Sequence, residues 1–100
     1  MAFVIVETSY ETPLTDQLRD DVEKQLEPCM QLRSVHWRHS YEANDRRRKI
    51  CVFEAPDAGS VREAFRSARI PFERMWAAEF REPKQGENDV RPGARVSEAT

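Results

Sequence analysis

Three glycines, two cysteines and two histidines in 100 residues leave little material for most familiar catalytic or binding motifs. No glycine-rich phosphate loop can be assembled from so few glycines, and no GxSxG, HExxH or CxxC pattern is present. Cys29 and Cys51 fall in unlike contexts and are too few for a disulfide scaffold, so both are expected as free thiols. No run approaches the ~20 apolar residues needed to span a bilayer. The opening Phe3-Val4-Ile5-Val6 is too short for a signal-peptide core, and Glu7 ends it. The default expectation is a cytoplasmic protein with no membrane partner.

Charge of either sign is not lacking, but it nearly cancels. Sixteen basic and eighteen acidic residues give a net charge of -2, against the basic excess of a general nucleic-acid binder. The run Arg46-Arg47-Arg48-Lys49 is the local exception; Glu42 and Asp45 offset it, so it reads as a solvated hairpin tip. The length suits one domain, and so short a chain buries only about 60–65% of the surface its unfolded form exposes. A homodimer, which adds buried area, is the expected state.

Hydrophobic patterning gives six elements. Ala2 to Glu7 reads as a strand apolar on both faces, hence central in a sheet. Thr12-Pro13 signals a helix start, and Leu14, Leu18, Val22 and Leu26 form its stripe; Glu27-Pro28 should end it. Val35 to Tyr41 is a more polar strand suited to an edge, followed by a turn around Asn44-Asp45. Lys49 to Ala55 is a second doubly apolar strand. Ser60 and Glu63 match a capping box, and Val61, Ala64, Phe65 and Ala68 supply the stripe of a second helix. Arg74 to Arg81 alternates as a fourth strand, with Trp76, Ala78 and Phe80 on one face. Residues 82–100, with two prolines, many charges and almost no apolar side chains, read as a disordered tail.

This order, with right-handed crossovers, is the α+β ferredoxin-like βαββαβ fold: a four-stranded antiparallel sheet carrying two helices on one face, spanning residues 1–81. Its central strands are apolar on the uncovered face as well. A second subunit packed sheet to sheet, as in a dimeric α+β barrel, with a ligand trapped between, would cover that face.

Polar candidates gather on the second and third strands. His39, Glu54 and Glu7 offer a nitrogen-plus-oxygen donor set suited to nickel, zinc or copper. Strict alternation puts His39 on one face with Trp37 and Tyr41, and His36 on the other with Arg38 and Ser40. Glu54 follows four apolar residues, where an unpaired carboxylate is costly; a salt bridge to Arg38 or Arg74 is the purely structural alternative. Cys51 fits as a small core residue. A second chemistry is an isomerase, cyclase or cofactor-free oxygenase. There His39 would be the catalytic base and Glu54 the acid or orienting group, and Trp37, Tyr41, Phe53 and Trp76 would line a cleft for an apolar or aromatic substrate.

The runs His39-Ser40-Tyr41, Cys51-Val52-Phe53-Glu54-Ala55-Pro56, Ser60-Val61-Arg62-Glu63 and Ile70-Pro71 carry a resemblance. They resemble a family of small bacterial ferredoxin-like proteins, an uncharacterised-domain family that includes a nickel-binding, nickel-responsive member. The likeness covers roughly residues 2 to 81. It implies a homodimer that binds nickel or a similar divalent metal, with His39 and Glu54 at the matching positions. Two departures stand out. Ala64 occupies the place where the family often carries a histidine, and the hairpin between His39 and Cys51 is about two residues longer.

Overall fold

In the computed structural model, which describes residues 1–84, β-branched and aromatic runs form the strands and amphipathic runs the helices. The elements are β1 (Ala2–Ser9), α1 (Asp16–Gln31), β2 (His36–Glu42), β3 (Arg48–Ala55), α2 (Ala58–Ala68) and β4 (Arg74–Ala78). The sheet runs β2-β3-β1-β4, every pair antiparallel, so β1 and β3 are the central strands and β2 and β4 the edges. This is the ferredoxin-like fold expected. The tail expected over residues 82–100 lies, from residue 85 onward, outside the described residues.

Alternation on the central strands sorts side chains to two very different faces. Val4 and Val6 on β1 pair with Phe53 and Cys51 on β3, and all four are buried against the helices. Val61, Ala64, Phe65 and Ala68 close that core from α2. Phe65 stacks edge-on between Phe53 and Phe72, with centroids 5.7 Å away in each case. The opposite face carries Phe3, Ile5, Ile50, Val52 and Trp76, with no element of the described residues laid over it. Trp76 is 46% exposed and Ile50 38%.

Helix boundaries differ from the sequence expectation in three places. Helix α1 starts at Asp16, not at Thr12-Pro13, because Thr15 caps it: its hydroxyl accepts the Leu18 N–H at 3.1 Å. The helix also runs through Pro28 to Gln31. A proline inside a helix costs about 3 kcal/mol, and here the partly buried Cys29 and Met30, which follow it directly and pack against the core, offset it. The inward face is consequently Val22, Leu26, Cys29 and Met30, whereas Leu18 is 45% exposed and Leu14 is buried ahead of the cap. Helix α2 is capped by Asp57, not by Ser60. Asp57 Oδ1 accepts from the Ser60 backbone N–H at 2.7 Å and from its hydroxyl at 2.9 Å, and these bonds lower the Asp57 carboxyl pKa.

Strand β4 stops at Ala78 rather than Arg81, since Ala78 already pairs with Phe3 and β1 supplies almost nothing beyond it. Phe80 nonetheless stays by the sheet, its ring centroid 6.1 Å from that of Phe3.

The basic run is largely committed within the fold. Arg46 Nη1 reaches Asp16 at 3.0 Å, Arg47 Nη1 donates to the Glu11 carbonyl at 3.1 Å, and their backbone carbonyls accept from Leu14 and Tyr10. Arg19 ties α1 to β2 through a two-point pair with Glu42, at 2.7 and 2.6 Å. The Arg19 hydrogen bonds hold the Glu42 carboxyl below its ordinary value of 4.5. A depressed folded-state pKa stabilises the fold above the unfolded value and ceases to do so as pH falls through the depressed one. Urea midpoints should therefore fall on acidification below about pH 4.5, and Glu42→Gln should flatten that fall. Parallel profiles for parent and variant would assign the acid sensitivity elsewhere.

Candidate functional site

Strand β2 is not regular. His36 lies opposite Glu54 and Trp37 opposite Phe53, but the next pair is His39 with Val52, so Arg38 is an extra residue. Such a β-bulge resets the alternation of the strand that carries it. His36 and His39, three apart, therefore share the open face with Glu54 and Val52, correcting the expectation that they point to opposite sides. Trp37 moves the other way: it joins Phe53 on the helix-covered side and does not share a face with His39 and Tyr41.

The open face then holds, along β2, His36, His39 and Tyr41, with the His39 and Tyr41 rings 5.3 Å apart and edge-on. Glu54 stands directly across from His36 and diagonal to His39, a separation of roughly 7–8 Å between backbones. Arg38, projecting from the bulge, donates to Glu54 Oε1 at 2.8 Å through Nε and at 2.5 Å through Nη2. The salt bridge foreseen for Glu54 is thus made by Arg38. Glu54 Oε2 takes no hydrogen bond from the described residues.

Glu7 is not part of this group. It faces Ile50 four residues further along the sheet, and its Oε2 accepts the Trp76 indole N–H at 2.9 Å. Among the described residues no cluster of three or more His, Cys, Asp or Glu is placed to hold a metal ion within one chain. Nor do the four aromatic candidates line one cleft. Tyr41 and Trp76 lie on the open face, while Trp37 and Phe53 lie on the helix side.

Cys51 is a buried free thiol, as expected, and burial pushes its pKa up. Ser40, opposite it in register, donates to Cys51 Sγ at 3.1 Å and accepts the Trp37 indole N–H at 2.8 Å. Lys49 follows the same alternation onto this covered face and is only 9% exposed. Sequence reading treated it as part of a solvated basic run. The signal available was its place two residues before Cys51 on a central strand.

Comparison with known proteins agrees with the fold. The family described as nickel responsive protein SCO4226-like matches residues 3–77. The chain belongs to the SCO4226-like family. A solved structure of SCO4226 from Streptomyces coelicolor A3(2) superposes with a TM-score of 0.72, covering 81% of this chain and 100% of that one. Identity between the two is 12%, so the structural likeness speaks for the fold alone. A comparison with curated proteins gives no match. The SCO4226-like family name carries a metal-related role, and no helix among the described residues is long and apolar enough to cross a membrane.

Proposed function

We propose that the protein is a homodimer that binds a divalent transition metal, nickel or one like it, on the open face of the sheet. The observation that carries this reading is the bulge at Arg38, which gathers His36, His39 and Glu54 on that face beside an exposed apolar surface. Two imidazoles and a carboxylate are donors of the type nickel, zinc and copper take. The described residues of one chain supply too few of them in one place for a closed coordination shell. A second copy, packed face to face about a twofold axis, presents the same residues again and excludes water from Phe3, Ile5, Val52 and Trp76. Metal site and dimer are thus one proposal: the partner completes the donor set, and the apolar contact holds the partner. Bound metal would supply a charged centre whose occupancy reports metal availability. Tyr41, edge-on to His39, fixes the orientation of that imidazole.

Calorimetric titration of the metal-stripped full chain with nickel and zinc tests the reading. Losing even an outer hydrogen-bonding partner of a ligand costs about 10–100-fold in metal affinity. His39→Ala, which removes a donor outright, should therefore weaken binding by at least that much. Glu7→Gln should leave it unchanged, since Glu7 is engaged elsewhere by Trp76. Addition of metal should also tighten dimerisation, because a shared site is linked to association. A parent that binds neither ion, or a His39→Ala variant that binds as the parent does, would refute the metal site.

A further inference from the structure

Glu54 is held through one oxygen only. Arg38 reaches it from the rim of the sheet, and both contacting nitrogens, Nε and Nη2, meet Oε1. A guanidinium fork often spans a carboxylate with one nitrogen to each oxygen. Here Oε2 is left over. The residues beside Glu54 in register are Phe3 on β1 and His36 on β2, and Phe3 has no side-chain hydrogen bond to give. The imidazoles of His36 and His39 make no hydrogen bond with a described residue either; His39 has only its ring contact with Tyr41.

The pair does little for the fold by itself. The Arg38 side chain is half exposed, and ion pairs open to water contribute little stability. What the contact does is fix a side chain. A free glutamate samples several rotamers, and holding it in place beforehand removes that entropy cost from any ligand that uses it. Carboxylates that ligate metals are themselves hydrogen-bonded by outer groups, which set their direction. The bulge makes this arrangement available. As the extra residue, Arg38 is excused from pairing with β3, while His36 and His39 keep their places opposite Glu54 and Val52.

We propose that Arg38 is a positioning residue for the metal: it fixes Glu54 through Oε1 and leaves Oε2 as the donor. The inference rests on the metal reading above and adds to it the residue that arranges the carboxylate. Arg38 itself does not touch the ion. Its charge opposes a dication nearby, but the half-exposed position screens that repulsion. A guanidinium that merely occupied the carboxylate would have to leave before metal entered, and removing it would tighten binding. Contact with a single oxygen favours the first role.

The test is calorimetric titration of the metal-stripped full chain with zinc, beside Arg38→Ala, Arg38→Lys, Glu54→Gln and the combination of Arg38→Ala with Glu54→Gln. Arg38→Ala should weaken zinc binding by about 10–100-fold, the range for losing an outer partner of a ligand. Arg38→Lys, which can still donate to one oxygen, should recover part of the loss. In the Glu54→Gln background Arg38→Ala should cost nothing further, whereas a merely structural role would cost the same in both backgrounds. Nitrogen-resolved NMR of the parent needs no variant to fold: the Arg38 Nε–H signal should stay protected at zinc saturation. Three results would each overturn the positioning role and leave the metal site standing. They are zinc binding by Arg38→Ala as tight as the parent's or tighter, an undiminished loss in the Glu54→Gln background, and disappearance of the Nε–H signal at saturation. A parent that binds neither zinc nor nickel would end both readings.

Discussion

Phe53→Ala should lower the free energy of unfolding by about 3–5 kcal/mol, the range for truncating a buried aromatic side chain. Phe53 is 2% exposed and sits at the centre of the core, opposite Val4 and edge-on to Phe65, which in turn leans on Phe72. Removing the ring therefore strips contacts from both layers at once and breaks a three-ring stack, each aromatic pair contributing about 0.5–1.5 kcal/mol beyond area. The loss should fall toward the lower end, because Phe53 also borders an open cleft between α1 and strands β2 and β3, and water can enter the space created. Domains are stable by only about 5–15 kcal/mol, and a short one sits near the bottom of that range. Urea unfolding followed by far-UV circular dichroism measures the change. A loss under about 2 kcal/mol, well below the range for buried aromatics, would mean that the core closes around the site more readily than its packing suggests.

The second large effect concerns association. Ile5→Lys should leave the single chain folded and abolish the proposed face-to-face dimer. Ile5 lies at mid-sheet, between Val52 on β3 and Trp76 on β4, on the face the helices leave open. In one chain a lysine there is tolerated. It remains in contact with water, and Glu7, two residues on along the same face, is a favourable neighbour. In the dimer the same change places two like charges near the twofold axis and strips them of water. That juxtaposition costs several kcal/mol, equivalent to a weakening of about a hundredfold or more in the association constant. Sedimentation velocity across a concentration series reads this directly. If the parent is monomeric at every concentration, or if Ile5→Lys associates as the parent does, the open face is not the dimer surface. Loss of the dimer should also reduce metal affinity.

How much of this was visible in the sequence depended on whether the signal was local. The doubly apolar runs at Val4–Val6 and Ile50–Phe53 identified the central strands, and the short hairpin joining the second and third strands then fixed which edge each outer strand takes. The second helix was equally legible from Val61, Ala64, Phe65 and Ala68, all of which are buried. The cap was not: Asp57 and Ser60 are both good cap residues, and only the closed geometry shows Asp57 accepting from Ser60. Pro28 misled for a related reason, since its local preference was overridden by the packing of the two residues after it, Cys29 and Met30, against the core.

The candidate site was legible as composition but not as geometry. His39, His36 and Glu54 could be singled out as residue types, yet their faces depended on register. A bulge is a mismatch between two strands, and neither strand alone records it. Arg38 carries nothing that marks it as the extra residue. One inserted position brought the two histidines together and separated Trp37 from Tyr41. Lys49 was hidden by its neighbours: in a run of four basic residues nothing distinguishes the one that turns inward until the pairing with β1 is known.

The irregularity in β2 bears on what the molecule avoids as well as on what it binds. Both ends of the sheet present unpaired backbone groups, and such edges can recruit further strands without limit. The Arg38 bulge breaks the hydrogen-bonding rhythm of one edge with a charged side chain. The other edge, β4, is only five residues long and begins with Arg74. Neither offers a long flat template for a neighbouring chain. Growth by lateral strand addition, the route to fibrils, is thereby disfavoured, and self-association is directed to the broad face, where a twofold contact is complete after two copies.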